Sequence, residues 1–161
     1  MGAEKSKKGS HLTKEERRII AVLHEEGRSP YEIGKLTGRA SNTIRNELKT
    51  LLENFGYKVL MLEKFTNAKE DIKSMTLDLI LLDINLPNIN GEMLLKEIRK
   101  ESNIPVIMVT SRVCEVDEVL SMSYGADDYI TKPYNPTILL LRIQNIFKRM
   151  ENNRDDLFYD D

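Results

Sequence analysis

Cysteine is almost missing from this chain: Cys114 stands alone among 161 residues, and there is no tryptophan. A single thiol excludes an internal disulfide and suits a reducing compartment, so a cytoplasmic setting is expected. The two histidines, His11 and His24, are too few to build a Cys/His metal cluster with it. Long apolar runs are also lacking. None approaches the roughly 18 residues that a membrane span needs, and no signal-peptide core opens the chain. No membrane partner is expected.

What is present is 40% hydrophobic and 31% charged, enough for one sizeable domain and a small one. The charge is uneven. Residues 1–50 carry eleven Lys/Arg against seven Asp/Glu, while the remainder holds a surplus of six negative charges. A basic head on an acidic body points to nucleic acid as a partner of the head, although a solvated basic tail would look the same.

Residues 1–10 are rich in Lys, Gly and Ser and read as a disordered leader. Thr13 and Glu16 form a capping box ahead of Ile19, Ile20 and Leu23, which share one helical face. Gly27 stops that helix, and Ser29-Pro30 opens a short second one ending at Gly38. Ser41 or Asn42 caps a third, with Ile44, Leu48, Leu51 and Leu52 inside. Three helices and a Gly turn over residues 11–50 have the spacing of a helix-turn-helix. The stretches His11–Arg17, Glu32–Arg39 and Ser41–Leu48 resemble the DNA-binding module of IS30-type transposases, apart from Gly34, where that family usually has Ala. In such motifs the start of the last helix meets the major groove, which makes Arg39, Ser41, Asn42, Thr43 and Arg45 the DNA-contacting candidates.

The body alternates strands and helices, the pattern of a parallel α/β sheet. Strands are expected at Lys58–Leu62, over Leu77–Asp83, at Pro105–Thr110 and at Asp128–Ile130. Helices are expected at Asn67–Ser74, Gly91–Lys100, Glu115–Tyr124 and from Pro136 onward. Met93 belongs to the apolar set of the second of these helices, and Ile138, Leu139, Leu141, Ile143, Ile146 and Phe147 to that of the last. The run Leu77–Leu82 reads as apolar or nearly so, without alternation, and hence as a strand buried on both faces, and it delivers Asp83 to the carboxyl edge of the sheet. Thr110 and Lys132 end two further strands at the same edge. A carboxylate, a hydroxyl and an ammonium meeting there could accept a phosphoryl group and hold its oxygens.

The stretches Leu81–Pro87 with Gly91, Pro105–Ser111 and Gly125–Pro133 closely resemble the receiver domain of response regulators, over about residues 43–150. That resemblance implies a flavodoxin-like fold, a cognate histidine kinase and phosphorylation-controlled DNA binding. It makes Asp83 the phosphoacceptor, Thr110 the switch hydroxyl, Lys132 the counter-ion and Tyr129 the aromatic switch. The Asn85 backbone carbonyl becomes a Mg²⁺ ligand, and Lys132-Pro133 a cis peptide. It also implies a homodimer through the Glu115–Tyr124 and Pro136–Met150 helices, and an acidic linker or tail over 151–161. A receiver of this type normally precedes an output domain, which a shortened chain would lack.

The pattern breaks at its start. A receiver opens with a central strand and an acidic pair that holds Mg²⁺. Thr43–Tyr57 resembles a receiver's first helix running to its second strand, and counting back from it puts that pair near Ala40 and Ser41, neither of which can bind the ion. The expectation is therefore a receiver without its first strand, leaving Lys58–Leu62 without that neighbour. It is fused behind a small all-α segment through a helix at about 42–54 that both parts share. Mg²⁺ binding is then weak or absent and phosphorylation impaired. Two other readings stay open: a phosphorylation-independent dimerisation or DNA-binding module, and an artificial chimera without native function. No enzymatic turnover is expected.

Overall fold

The computed structural model describes residues 17–24, 41–111 and 122–158, with side chains described from 45 in the second stretch and up to 154 in the third. Its sheet starts earlier than expected. Strand β1 (Arg18–Val22) is followed by helix α1 (Ser41–Asn54), β2 (Lys58–Met61), α2 (Ala68–Lys73) and β3 (Leu79–Asp83). A small hairpin, β4 (Asn85–Leu86) and β5 (Ile89–Asn90), leads to α3 (Gly91–Arg99), β6 (Val106–Thr110), β7 (Asp128–Thr131) and α4 (Pro136–Phe158).

The five long strands form one parallel sheet in the order β2-β1-β3-β6-β7. The receiver therefore does not lack its first strand. Residues 18–22, which periodicity assigns to a helix of the head, lie at the heart of the receiver sheet. Ile20 is in register with Leu60 on one side and Ile80 on the other, so β2 does have a partner. The physical reason lies in the run itself. Ile19–Leu23 is apolar without a break, which suits a strand buried on both faces as well as a helix, and Ile19, Ile20 and Val22 are β-branched. Reciprocal bonds pin its start: the Arg18 amide donates to Asp78 Oδ2 at 2.7 Å, and the Asp78 amide to the Arg18 carbonyl at 2.8 Å.

Alternate residues of each central strand feed two cores. Ile19, Ala21, Leu79, Leu81, Ile107 and Val109 meet Leu48 and Leu52 of α1 and Leu139, Ile143, Ile146 and Phe147 of α4. Ile20, Val22, Ile80, Leu82, Val106 and Met108 meet Ala68 and Ile72 of α2 and Leu94, Leu95 and Ile98 of α3. Helices thus cover both faces, and the functional edge is left to the loops after the strands.

Most other elements match expectation within a residue or two. Asn135 Oδ1 caps α4 through the Thr137 amide at 2.8 Å, and Lys132-Pro133 is cis. Among the apolar residues named from sequence, Met93, Ile138 and Leu141 are 55%, 49% and 53% exposed, where partial burial is expected of the last two. Residues 151–158, expected as a linker, continue α4. The leader, the capping box, the second head helix and most of Glu115–Tyr124 lie outside the described residues.

Candidate functional site

Three strands set the site. β3 ends in Asp83, which is fully buried. Thr110 ends β6, buried, and its carbonyl accepts the Lys132 amide at 2.6 Å, which seats the lysine just beyond β7. Lys132 Nζ donates to Asp83 Oδ2 and to the His24 carbonyl. The His24 amide donates to Asp83 Oδ2 at 3.1 Å, and the Asn85 amide to Oδ1 at 3.2 Å. The groups singled out from sequence are therefore gathered at one edge, with Asp83 and Lys132 in direct contact. The backbone of His24 is a participant that sequence reasoning misses, because it places the preceding strand in a helix.

Burial pushes the Asp83 carboxyl above the usual carboxylate range, opposed by the Lys132 charge and its hydrogen bond and by the two backbone amides. An ammonium and a backbone amide thus meet Oδ2 of this buried carboxylate and a second amide meets Oδ1. Gly91 contributes by closeness. A Cβ there would lie 2.0 Å from the Asp83 carbonyl oxygen, and the Gly91 amide donates to the Ile84 carbonyl at 2.7 Å. Only glycine lets α3 start this tightly against the end of β3. Tyr129 lies half-buried in β7, level with Met108, and packs against the second core.

The register also shows what ends β1 beside Asp83. Val22 pairs with Leu82, so Leu23 falls beside Asp83 and His24 follows. Ala40 and Ser41, the positions that counting back gives for the acidic pair, are not at the end of this strand. Glu25 and Glu26 come next in the sequence and lie outside the described residues. Mg²⁺ demands several oxygen ligands in near-octahedral array. Among the described residues no three His, Cys, Asp or Glu side chains come together in a metal-holding group. Asp83 and the Asn85 carbonyl alone do not fit the ion.

Of the DNA-contacting candidates, Arg39 lies outside the described residues. Ser41, Asn42 and Thr43 start α1, with their side chains undescribed. The Arg45 side chain is only 18% exposed and points toward Glu63, Nη2 to Oε1 4.0 Å. Its Nε and Nη2 are buried without a hydrogen bond.

A doubly wound sheet with a buried acid, a hydroxyl and a lysine at its carboxyl edge defines a receiver. Residues 41–144 match the response regulator receiver domain, so the chain belongs to that family. Residues 8–50 separately match a helix-turn-helix domain, overlapping the first match within α1. Among curated relatives, the aerobic respiration control protein ArcA of Escherichia coli K12 is 39% identical over 108 residues, covering 67% of this chain and 45% of ArcA. The probable transcriptional regulator ycf27 of Cyanidium caldarium is 40% identical over 119 residues, covering 72% of this chain and 47% of ycf27. The chain thus spans about half the length of the curated relatives it matches. The receiver domain of the TMAO respiratory response regulator TorR superimposes with a TM-score of 0.66 at 31% identity, over 83% of this chain and 98% of that one. The family match begins only at residue 41, yet nearly all of a complete receiver is covered in space, first strand included.

Proposed function

We infer that this chain is a two-component signalling module in which Asp83 accepts a phosphoryl group slowly, attached to a head that binds duplex DNA. The observation that carries the reading is the Asp83–Lys132 contact beside Thr110. In the transfer, a carboxylate oxygen of Asp83 forms a bond to phosphorus as the bond from phosphorus to the donor breaks, its leaving atom being the imidazole nitrogen of a phosphohistidine or the carboxylate oxygen of acetyl phosphate. The Lys132 ammonium and the Thr110 hydroxyl stabilise the phosphoryl oxygens, and Thr110 and Tyr129 act as the switch residues. Leu23 and His24 stand where a receiver carries its acidic pair, so Mg²⁺ binds weakly at most, through Asp83 and the Asn85 carbonyl. Loss of one preorganised electrostatic stabiliser typically slows such chemistry by about 10²–10³.

Several finer assignments rest on the family and the sequence pattern. The donor is a histidine kinase; the exposed Ile138 and Leu141 on α4 suit a homodimer; the lone cysteine suits the cytoplasm. The DNA-contacting residues are Arg39, Ser41, Asn42, Thr43 and Arg45, in the stretch that matches a helix-turn-helix domain. Lys132 already bound to both Asp83 and His24 also favours a second reading, a module that dimerises or binds DNA without phosphorylation.

Incubation with acetyl phosphate and Mg²⁺ followed by intact mass tests this. A partial gain of about 80 Da, absent from Asp83→Asn, is expected. Complete conversion contradicts impaired transfer. A gain that survives Asp83→Asn removes Asp83 as acceptor, and no gain at all leaves the phosphorylation-independent reading.

A further inference from the structure

One stretch of this chain is claimed by two structures. Residues 8–50 match a helix-turn-helix domain, yet residues 18–22 within that match form the central strand of the receiver sheet, paired on both sides. The conflict recurs in α1. Leu48 and Leu52, the apolar face that a third helix would turn toward its own two companions, are fully buried in the receiver core. Arg45, a candidate base reader, is mostly covered and faces Glu63.

A backbone segment cannot be helix and strand at once, and one apolar face cannot fill two cores. We propose that the two structures exclude each other: duplex DNA is bound by an open form in which β1 has left the sheet, and the closed receiver is the form that does not bind DNA. By linkage, whatever stabilises the closed sheet weakens DNA binding, and DNA loosens the sheet to the same degree. The proposal rests on the DNA-binding part of the proposed function.

Ala21 separates the two forms. In the sheet it is fully buried, in register with Met61 and Leu81, where a carboxylate cannot be accommodated. On a helix it lies opposite the Ile19, Ile20 and Leu23 face, where glutamate is solvated. The full chain is titrated with a labelled mixed-sequence duplex of about 30 base pairs at low salt, where phosphate contacts dominate affinity. Ala21→Glu is expected to bind about tenfold more tightly than the wild type, although its added charge repels phosphate. In the wild type, amide exchange at Ile19–Val22 is expected to accelerate when the duplex saturates the protein, a readout that does not depend on the variant. Equal or weaker binding by Ala21→Glu overturns the exclusion, as does wild-type binding with β1 protection intact, and both leave DNA binding itself standing. Failure of both proteins to bind the duplex overturns the exclusion together with the DNA-binding reading, whereas binding by Ala21→Glu alone supports it.

Discussion

At the scale of single residues, the site is a buried carboxylate held in balance. Asp83 is fully buried and its charge is met by Lys132 and two backbone amides. Removing one partner of such a pair leaves an uncompensated charge in a poor solvent. Lys132→Met is expected to cost about 3 kcal/mol at pH 7 in urea unfolding. The pH dependence has a definite sign. Burial raises the folded carboxyl above its ordinary 3.8, and the Lys132 charge is the strongest influence holding it down, so removing that charge raises it further. Protonating Asp83 therefore stabilises the folded variant; that contribution is complete below the ordinary value and lost as pH rises through the folded one. The deficit of Lys132→Met should shrink steadily on acidification, and a deficit independent of pH would show that Asp83 is not the group left unpaired. Gly91 makes a second prediction. With a Cβ 2.0 Å from the Asp83 carbonyl, Gly91→Ala should destabilise by about 3 kcal/mol, whereas a cost below about 1 kcal/mol would mean that the turn relaxes freely.

At the scale of elements, legibility follows the clarity of each pattern. β3 and β6 are plain because four or five unbroken apolar residues end in a polar group at the chemical edge, and that also exposes Asp83 and Thr110. Lys132 is legible from the strand that ends beside it. β1 is not, because Ile19–Leu23 offers helical and strand patterns together and a capping box precedes it. Only its pairing with β2 and β3, a contact between distant parts of the chain, decides the matter. The role of His24 is hidden for the same reason: it contributes backbone, and backbone leaves no mark in composition. Ile138 and Leu141 are misplaced because α4 is apolar around more of its circumference than it buries. The end of α3 shows how side chains tie elements together. Arg99 donates to the carbonyls of Gly125 at 2.9 Å and Ile104 at 2.6 Å, and to Asp127 at 2.8 Å, which in turn accepts the Val106 amide. Arg99→Met should cost about 2 kcal/mol in urea unfolding while leaving phosphoryl uptake by Asp83 unchanged; a neutral effect would make the clasp ornamental.

At the scale of the whole molecule, the chain carries a receiver match over residues 41–144 and a helix-turn-helix match over residues 8–50, and β1 falls within the second. The central position of β1 sets the consequence. It places Leu23 and His24 beside Asp83 and puts residues 18–22, which fall within the helix-turn-helix match, into the sheet. Every functional statement about the chain depends on that strand. The direct measurement is the NMR spectrum of the full chain without DNA, read at Arg18–Val22. The account predicts extended chemical shifts, slow amide exchange at Ile19–Val22 and inter-strand contacts from Ile20 toward both Leu60 and Ile80. Helical shifts with contacts between residues three and four apart across 18–23, and none to Leu60 or Ile80, would contradict it.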